Sequence, residues 1–229
     1  MSNEMIIKEN GYLAATINLA ELFSEEMEGL TPTFDRIKIP AGGGLSYEVP
    51  GDDPSSPDSV KEFKAVILYH HPINSYYREK FSGSTNPPDC SSMDGKVGVM
   101  VDTGECKECA SCPYGKFGSG ENGGMACKQK RCVYLLREGE ILPVILTIPT
   151  GSIKEFTKYV TRLIQKGKKT NGVVSKFTLR KAQNSTGINY SQVVCSVDRV
   201  LTTEEQNVIN AMSEQVKAFA GRIFINDAE

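Results

Sequence analysis

The chain has 229 residues, 39% hydrophobic and 24% charged, with a formal net charge of −2. That suits one large or two small globular domains and excludes a low-complexity or collagenous chain. No apolar run nears the roughly 20 residues of a membrane-spanning helix, and the first residues lack the basic-then-apolar pattern of a secretory leader, so a soluble cytoplasmic protein is expected.

The near-neutral total hides a strong polarity. Residues 1–59 carry a net charge of −8, and residues 128–181 a net of +10. Such a chain presents one positive surface to a polyanion if folding keeps the basic block together; if the blocks interdigitate, the charges average out.

In chain order, residues 13–28 predict a helix, with Leu13, Ile17, Leu19, Leu22, Phe23 and Met27 apolar and acids opposite. Residues 33–39 and 45–49 read as strands around the Gly42-Gly43-Gly44 turn, and residues 50–57 as a surface loop. Residues 63–69 give the strongest strand signal of the first half, stopped by His70-His71-Pro72. Neighbours on a strand point to opposite faces, so the two histidines are not expected to share an ion. Residues 76–81 interleave Tyr76, Tyr77 and Phe81 with Arg78 and Lys80, which suits base stacking with phosphate contact and equally suits a short amphipathic turn.

Six of the seven cysteines follow: Cys90, Cys106, Cys109, Cys112, Cys127 and Cys132. In a reducing compartment such clustering favours a metal over disulfides. Thiolates two residues apart grip one ion, and four of them close a tetrahedral structural zinc site. The run Cys106-x2-Cys109-x2-Cys112 offers alternative pairs, and it also imitates the start of a ferredoxin motif, although the expected next cysteine is missing and Pro113 follows. Cys195, in an apolar run, reads as an inert buried thiol.

Beyond the cysteines the pattern is β. Residues 133–136 and 141–148 predict one hairpin; residues 173–182 and 188–197 predict another. Between them a helix is expected, with Ser152 and Glu155 as a capping box and Ile153, Phe156, Val160, Leu163 and Ile164 buried. Lys154, Lys158, Arg162 and Lys166 recur every four residues on its exposed side. In the second hairpin, Lys176, Thr178 and Arg180 alternate with Phe177 and Leu179, which puts the basic set on one face and Phe177 toward the core. A last helix at 204–220 is expected, capped by Thr203 and Gln206, with Val208, Met212, Val216 and Phe219 as its apolar stripe and a short acidic tail beyond.

No phosphate-binding loop, nucleophile elbow or carboxylate cluster is present, so a non-enzymatic protein is expected. The expected fold is mainly β with flanking helices: an OB-like five-stranded antiparallel barrel over residues 60–200, with a zinc-binding insertion at 86–131. Residues 1–59 would be an extension packed on that core, and residues 201–229 a terminal helix and tail.

The run Pro87-Pro88-Asp89-Cys90-Ser91-Ser92, then Asp94-Gly95, Cys109-Ala110-Ser111-Cys112-Pro113, Phe117-Gly118-Ser119, Gly124 and Ala126-Cys127-Lys128, resembles a family of phage and mobile-element single-stranded DNA-binding proteins. The continuation Val133-Tyr134-Leu135-Leu136, Glu138-Gly139-Glu140 and Leu142-Pro143 is similar too, and the likeness spans about residues 60–195. The resemblance implies an OB-like core with a zinc insertion and a replication or recombination role in a bacterial host cell, with partner proteins engaged through the termini. It implies Cys90, Cys109, Cys112 and Cys127 as the Zn2+ ligands, with Cys106 and Cys132 outside the pattern. Sequence-tolerant binding would use Tyr76, Tyr77, Phe117, Tyr134 and Tyr190 as stacking platforms. The phosphate contacts would be Lys80, Lys116, Lys128, Lys130, Arg131, Lys176 and Arg180. Two other classes compete: a zinc-stabilised protein-interaction module, and an iron–sulfur protein.

Overall fold

The computed structural model describes residues 11–30, 32–51, 53, 55–79, 87–184 and 186–220. Lys80, Phe81 and the acidic tail lie outside them. A short 3-10 turn, Gly11–Ala15, precedes α1 (Leu19–Glu26), which Asn18 caps by accepting from the Ala20 and Glu21 amides. The expected single helix is therefore two pieces, broken at Asn18 because its side chain competes for the backbone.

Strands β1 (Arg36–Ile37), β2 (Tyr47–Val49) and β3 (Asp58–Val60) lead to β4 (Glu62–Tyr76). At 15 residues β4 runs straight through His70-His71-Pro72. Pro72 is tolerated because β4 has a neighbour on one side only at that point: β10 pairs with residues 62–66 and β5 with residues 74–76. The cysteine region supplies β5 (Cys90–Ser92), β6 (Val97–Met100) and β7 (Cys106–Glu108), where the sequence pattern showed only loop. Then come β8 (Lys128–Leu136), β9 (Val144–Ile148), α2 (Thr150–Gln165), β10 (Val173–Gln183), β11 (Asn189–Val200) and α3 (Thr203–Phe219).

Nine strands form one mixed sheet in the order β1-β9-β8-β4-β5-β6-β7, with β10 joined to β4 and β11 to β10; β2 and β3 pair separately. The β1–β9 pair is parallel, and among the described residues the ladder stays open. The mainly β architecture with flanking helices thus stands, but the pairings do not make a closed five-stranded antiparallel barrel. The sheet instead curls, and a side chain bridges the gap: Ser191 Oγ on β11 lies 2.8 Å from both the Pro40 and Gly44 carbonyls. The N-terminal extension is integral to this arrangement, since it supplies β1 and several core residues.

Period-two alternation builds two cores, one on each face. Phe63, Ala65 and Ile67 of β4 and Val133 and Leu135 of β8 pack under α2 with Phe156, Tyr159 and Leu163. Val66, Leu68, Cys132, Tyr134 and Leu136 pack on the other face with α3, Tyr12, Leu19 and Phe34. Tyr134 is 0% exposed, and its hydroxyl donates to the Ala220 carbonyl. The expected stacking role for Tyr134 is therefore overturned: α3, Tyr12 and Phe34 cover that part of β8.

Two caps differ from the sequence reading. α2 starts at Thr150 after Pro149, with no side-chain cap, while Ser152 is buried and accepts from the Val193 amide. Within α2, Tyr159 takes a core position, whereas Ile164 is 67% exposed. The box on α3 is Thr202 with Glu205, one residue earlier than expected, because Glu205 is also held by two hydrogen bonds from Arg199. Ile209 is buried on α3, while Val208 and Phe219 are only partly covered.

Phe177 is fully buried, as its alternation with the basic residues implies, and stacks on Phe63 at 4.8 Å between centroids. Phe177→Ala removes that stack from the middle of one core and is expected to cost about 3–5 kcal/mol, read as a lowered urea midpoint at unchanged slope.

Candidate metal centre and nucleic-acid groove

The insertion has few buried apolar residues, so its shape depends on polar and sulfur contacts. Asp94 accepts from the Lys96 and Val97 amides and from Ser92, folding the β5–β6 turn. Arg78 ties the base of the insertion to Asp102 at 2.7 Å and donates its amide to Asp89. Cys112 leads into a 3-10 turn, Pro113–Gly115, and the Cys112 and Gly115 amides donate back to the Cys109 and Cys112 carbonyls. Two tight turns in succession fold the chain around the Cys109 and Cys112 thiols. The Cys127 amide donates to the Tyr114 carbonyl at 2.9 Å, which returns the chain to the same place.

As a result Cys90, Cys109, Cys112 and Cys127 line one small cavity of about 30 Å3, between Asn74 and Tyr76 of β4 and Gln129 of β8. These are the four thiols expected as ligands. Among the described residues, no three His, Cys, Asp or Glu side chains are already set as a metal-ligand group. The thiols nonetheless sense one another. Burial first, and then the charges of Cys109, Cys112 and Cys90, push the Cys127 thiol up to about 11. Cys90 is raised by burial and by Cys109 and Cys112. A Cβ built on Gly98 would stand 2.9 Å from Cys90 Sγ and 3.7 Å from Cys109 Sγ, so only glycine leaves room there for the two sulfurs. No sequence signal marks Gly98, which is one glycine among 21.

Cys106 is exposed and Cys132 is buried in the core beside Tyr134; neither lines the cavity. The Cys106-x2-Cys109-x2-Cys112 run therefore does not converge as a unit. Cys195 is partly covered, and burial pushes its thiol up to about 12, in keeping with an inert residue.

The aromatic and basic residues expected to meet nucleic acid fall into separate groups. Tyr76 stacks on Tyr114 at 4.2 Å, against the thiol cavity. Lys116 is exposed, and Phe117 is 83% exposed at the tip of the same loop. Tyr77, next to Tyr76 in the chain, is half-exposed. Lys176 is ion-paired with Glu62 at 3.4 Å, which neutralises its charge. Arg180 is well exposed and lies between Gln192 and Glu155.

Lys128, Lys130 and Tyr190 come together along an open groove of about 850 Å3. Alternation on β8 puts Lys128 and Lys130 on the groove and Cys127 and Gln129 on the thiol cavity. Arg36 and Lys38 line it from β1 and the residues after it, and Glu48 is the acid among the described lining residues. Neither Arg36 nor Lys38 is expected there from the sequence, because they sit in the strongly acidic first block of the chain. The Tyr190 ring covers Gly151, where a Cβ would come within 2.7 Å of it.

Arg131 does not share this groove. Its parity sends it to the other face of β8, where it is half-buried and its Nε donates to His70 Nδ1 at 2.7 Å. It is removed from the surface set for that reason. His70 also packs edge-on against Phe156, while His71 stacks on Tyr69 and Tyr134 on the opposite face, as the strand geometry requires. Comparison of the chain with family models, curated proteins and solved structures found no match. Among the described residues, no helix is long and apolar enough to cross a membrane.

Burial, then the Arg131 charge, hold His70 at a pKa of about 4, below its ordinary 6.5. The unfolded chain therefore takes up this proton before the folded one does. Stability from His70 is complete above about pH 6.5 and is lost as pH falls toward about 4. His71 is shifted the same way, by burial first. The urea midpoint is expected to fall over that interval, and His70→Gln, which keeps an acceptor for Arg131, should flatten the fall without abolishing it.

Proposed function

We propose that this protein binds single-stranded DNA without strong sequence preference, by an OB-like curled sheet whose insertion is held by one zinc ion. The observation that carries this is the groove in which Arg36, Lys38, Lys128 and Lys130 gather beside Tyr190. Four cations from two segments far apart in sequence, with one acid among the described lining residues, suit a polyanion rather than a neutral ligand. The groove is open to solvent and about 850 Å3 in volume, which leaves room for a linear chain. Phosphates would release counterions as they meet the cations, and a base would stack on Tyr190. The OB-like description is supported by the curl of β4, β8, β9, β10 and β11 and by the Ser191 bridge across its mouth.

The metal is supported by the donor set. Four soft sulfurs on one small cavity, in a loop with little apolar content, fit zinc in a closed tetrahedral site. Zinc there would act structurally, offsetting the repulsion among four crowded thiolates and fixing the start of β8, so that Lys128 and Lys130 reach the groove. The Cys90, Cys109, Cys112 and Cys127 side chains would hold it. Elemental analysis of protein purified without chelator should give one zinc per chain and no iron. Cys112→Ser and Gly98→Ala should each lower that content, the second by crowding Cys90 Sγ. Full metal content in both variants, or absence of metal from the parent protein, contradicts the site. A brown protein absorbing near 400 nm would instead identify an iron–sulfur centre.

DNA binding is tested by titrating fluorescent oligo-dT at several salt concentrations. Arg36→Glu with Lys128→Glu and Lys130→Glu should weaken binding to all sequences alike and lower the salt slope by about 0.7 for each phosphate no longer neutralised. Binding no tighter than that of serum albumin at low salt would refute the assignment. One observation favours a second reading, a zinc-stabilised interaction module: Val97, Val99 and Val101 lie exposed on the insertion, with Phe117 at its tip. Absence of salt-dependent DNA affinity would select it.

A further inference from the structure

We infer that the bound strand leaves the groove over the exposed basic face of α2, which takes its phosphates without contacting bases. This rests on the single-strand assignment above and extends its footprint. α2 begins on the groove itself: Thr150 and Gly151 line it, and the Tyr190 ring lies on Gly151. From there Lys154, Lys158, Arg162 and Lys166 follow one another along the helix, all exposed. They span about 18 Å at 1.5 Å per residue.

A basic helix face is common, but this one has an unusual arrangement. Its cations stand at i and i+4 from one another, a spacing at which like charges repel and weaken a helix. Stability would be better served by acids at alternate positions. α2 contains a single acid, Glu155, which is engaged by Lys158 at 2.8 Å. Arg180 on β10 stands 4.0 Å from the same carboxylate and donates to Gln192. Gln192 in turn donates to the Gly151 carbonyl at 2.9 Å. Arg180 therefore joins the groove end of α2 to the helix, and the cations form one track. A polyanion laid along that track relieves the repulsion. The buried side of α2, with Phe156, Tyr159 and Leu163, faces the core, so α2 itself brings no aromatic platform beside the cations and its contact is with phosphate.

The test compares oligo-dT of about 8 and about 30 nucleotides, one within and one well beyond the site of a single OB-like unit, on the full chain as purified. The parent protein should bind the long oligonucleotide more tightly and with a steeper salt slope. Changing Lys154, Lys158, Arg162 and Lys166 together to Gln, a good helix former, should remove most of that advantage. The slope on the long oligonucleotide should fall by roughly 2–3, and affinity for the short one should stay within about twofold. A charge-conserving variant, Lys154→Arg with Lys158→Arg, Arg162→Lys and Lys166→Arg, should behave as the parent, and circular dichroism of both variants checks that α2 is intact. If the Gln variant binds the long oligonucleotide as the parent does, the track is wrong while the groove stands. An equal loss on both lengths also overturns it. Should duplex of the same length compete as well as single strand, α2 is not an exit path for a single strand. Binding of neither length by the parent refutes the groove assignment, and the track with it.

Discussion

A strand has two faces, and β4 and β8 use both. Each residue of this pair is committed to one side by the pleat, and the sheet is covered on both sides. Phe63, Ala65, Ile67, Val133 and Leu135 are held under α2, and Val66, Leu68, Cys132, Tyr134 and Leu136 pack with α3 on the other side. A shift of one residue in either strand would exchange the two cores, so the register is fixed by burial on both sides. The same alternation continues past the cores to the start of β8, where it separates Lys128 and Lys130 from Cys127 and Gln129. The thiol cavity and the groove are thus the front and back of one strand end.

That arrangement explains why a loop rich in glycine and cysteine stands beside the most basic part of the chain. The insertion buries little apolar surface, and its turns are closed by Asp94, Arg78 and backbone amides near sulfur. Crowded thiols that raise one another's pKa are unfavourable as four separate anions and favourable around one cation. A cation that ordered them would order the first residues of β8, and through them two of the cations on the groove.

Much of this is legible in the sequence where the pattern is local. The apolar spacing of α2, the alternation through Phe177, the opposite aims of His70 and His71, and the clustering of cysteines all follow from short-range periodicity. What stays hidden depends on partners distant in the chain. β1 falls within the strand expected at 33–39, but its partner is not written there; only pairing with β9 brings Arg36 and Lys38, from an acidic block, to a basic surface. β5, β6 and β7 are three or four residues each, too short for alternation to register above the glycines around them. Arg131 is misplaced because the basic run at 128–131 reads as a patch, whereas a strand divides it between two faces; Tyr134 shares the side of Lys128 and Lys130 but lies further along β8, where α3 packs over it.

The parallel pairing of β1 with β9 carries a consequence for the order of assembly. Arg36 and Ile145 meet across more than a hundred intervening residues, whereas the four cavity cysteines all fall within a span of about forty. Closing the longer loop costs more chain entropy, and non-local parallel contacts form slowly. The insertion and the two hairpins can therefore condense first, with Arg36 and Lys38 arriving last. During synthesis the wall of the groove is made early but completed late, only after β9 has emerged to receive it.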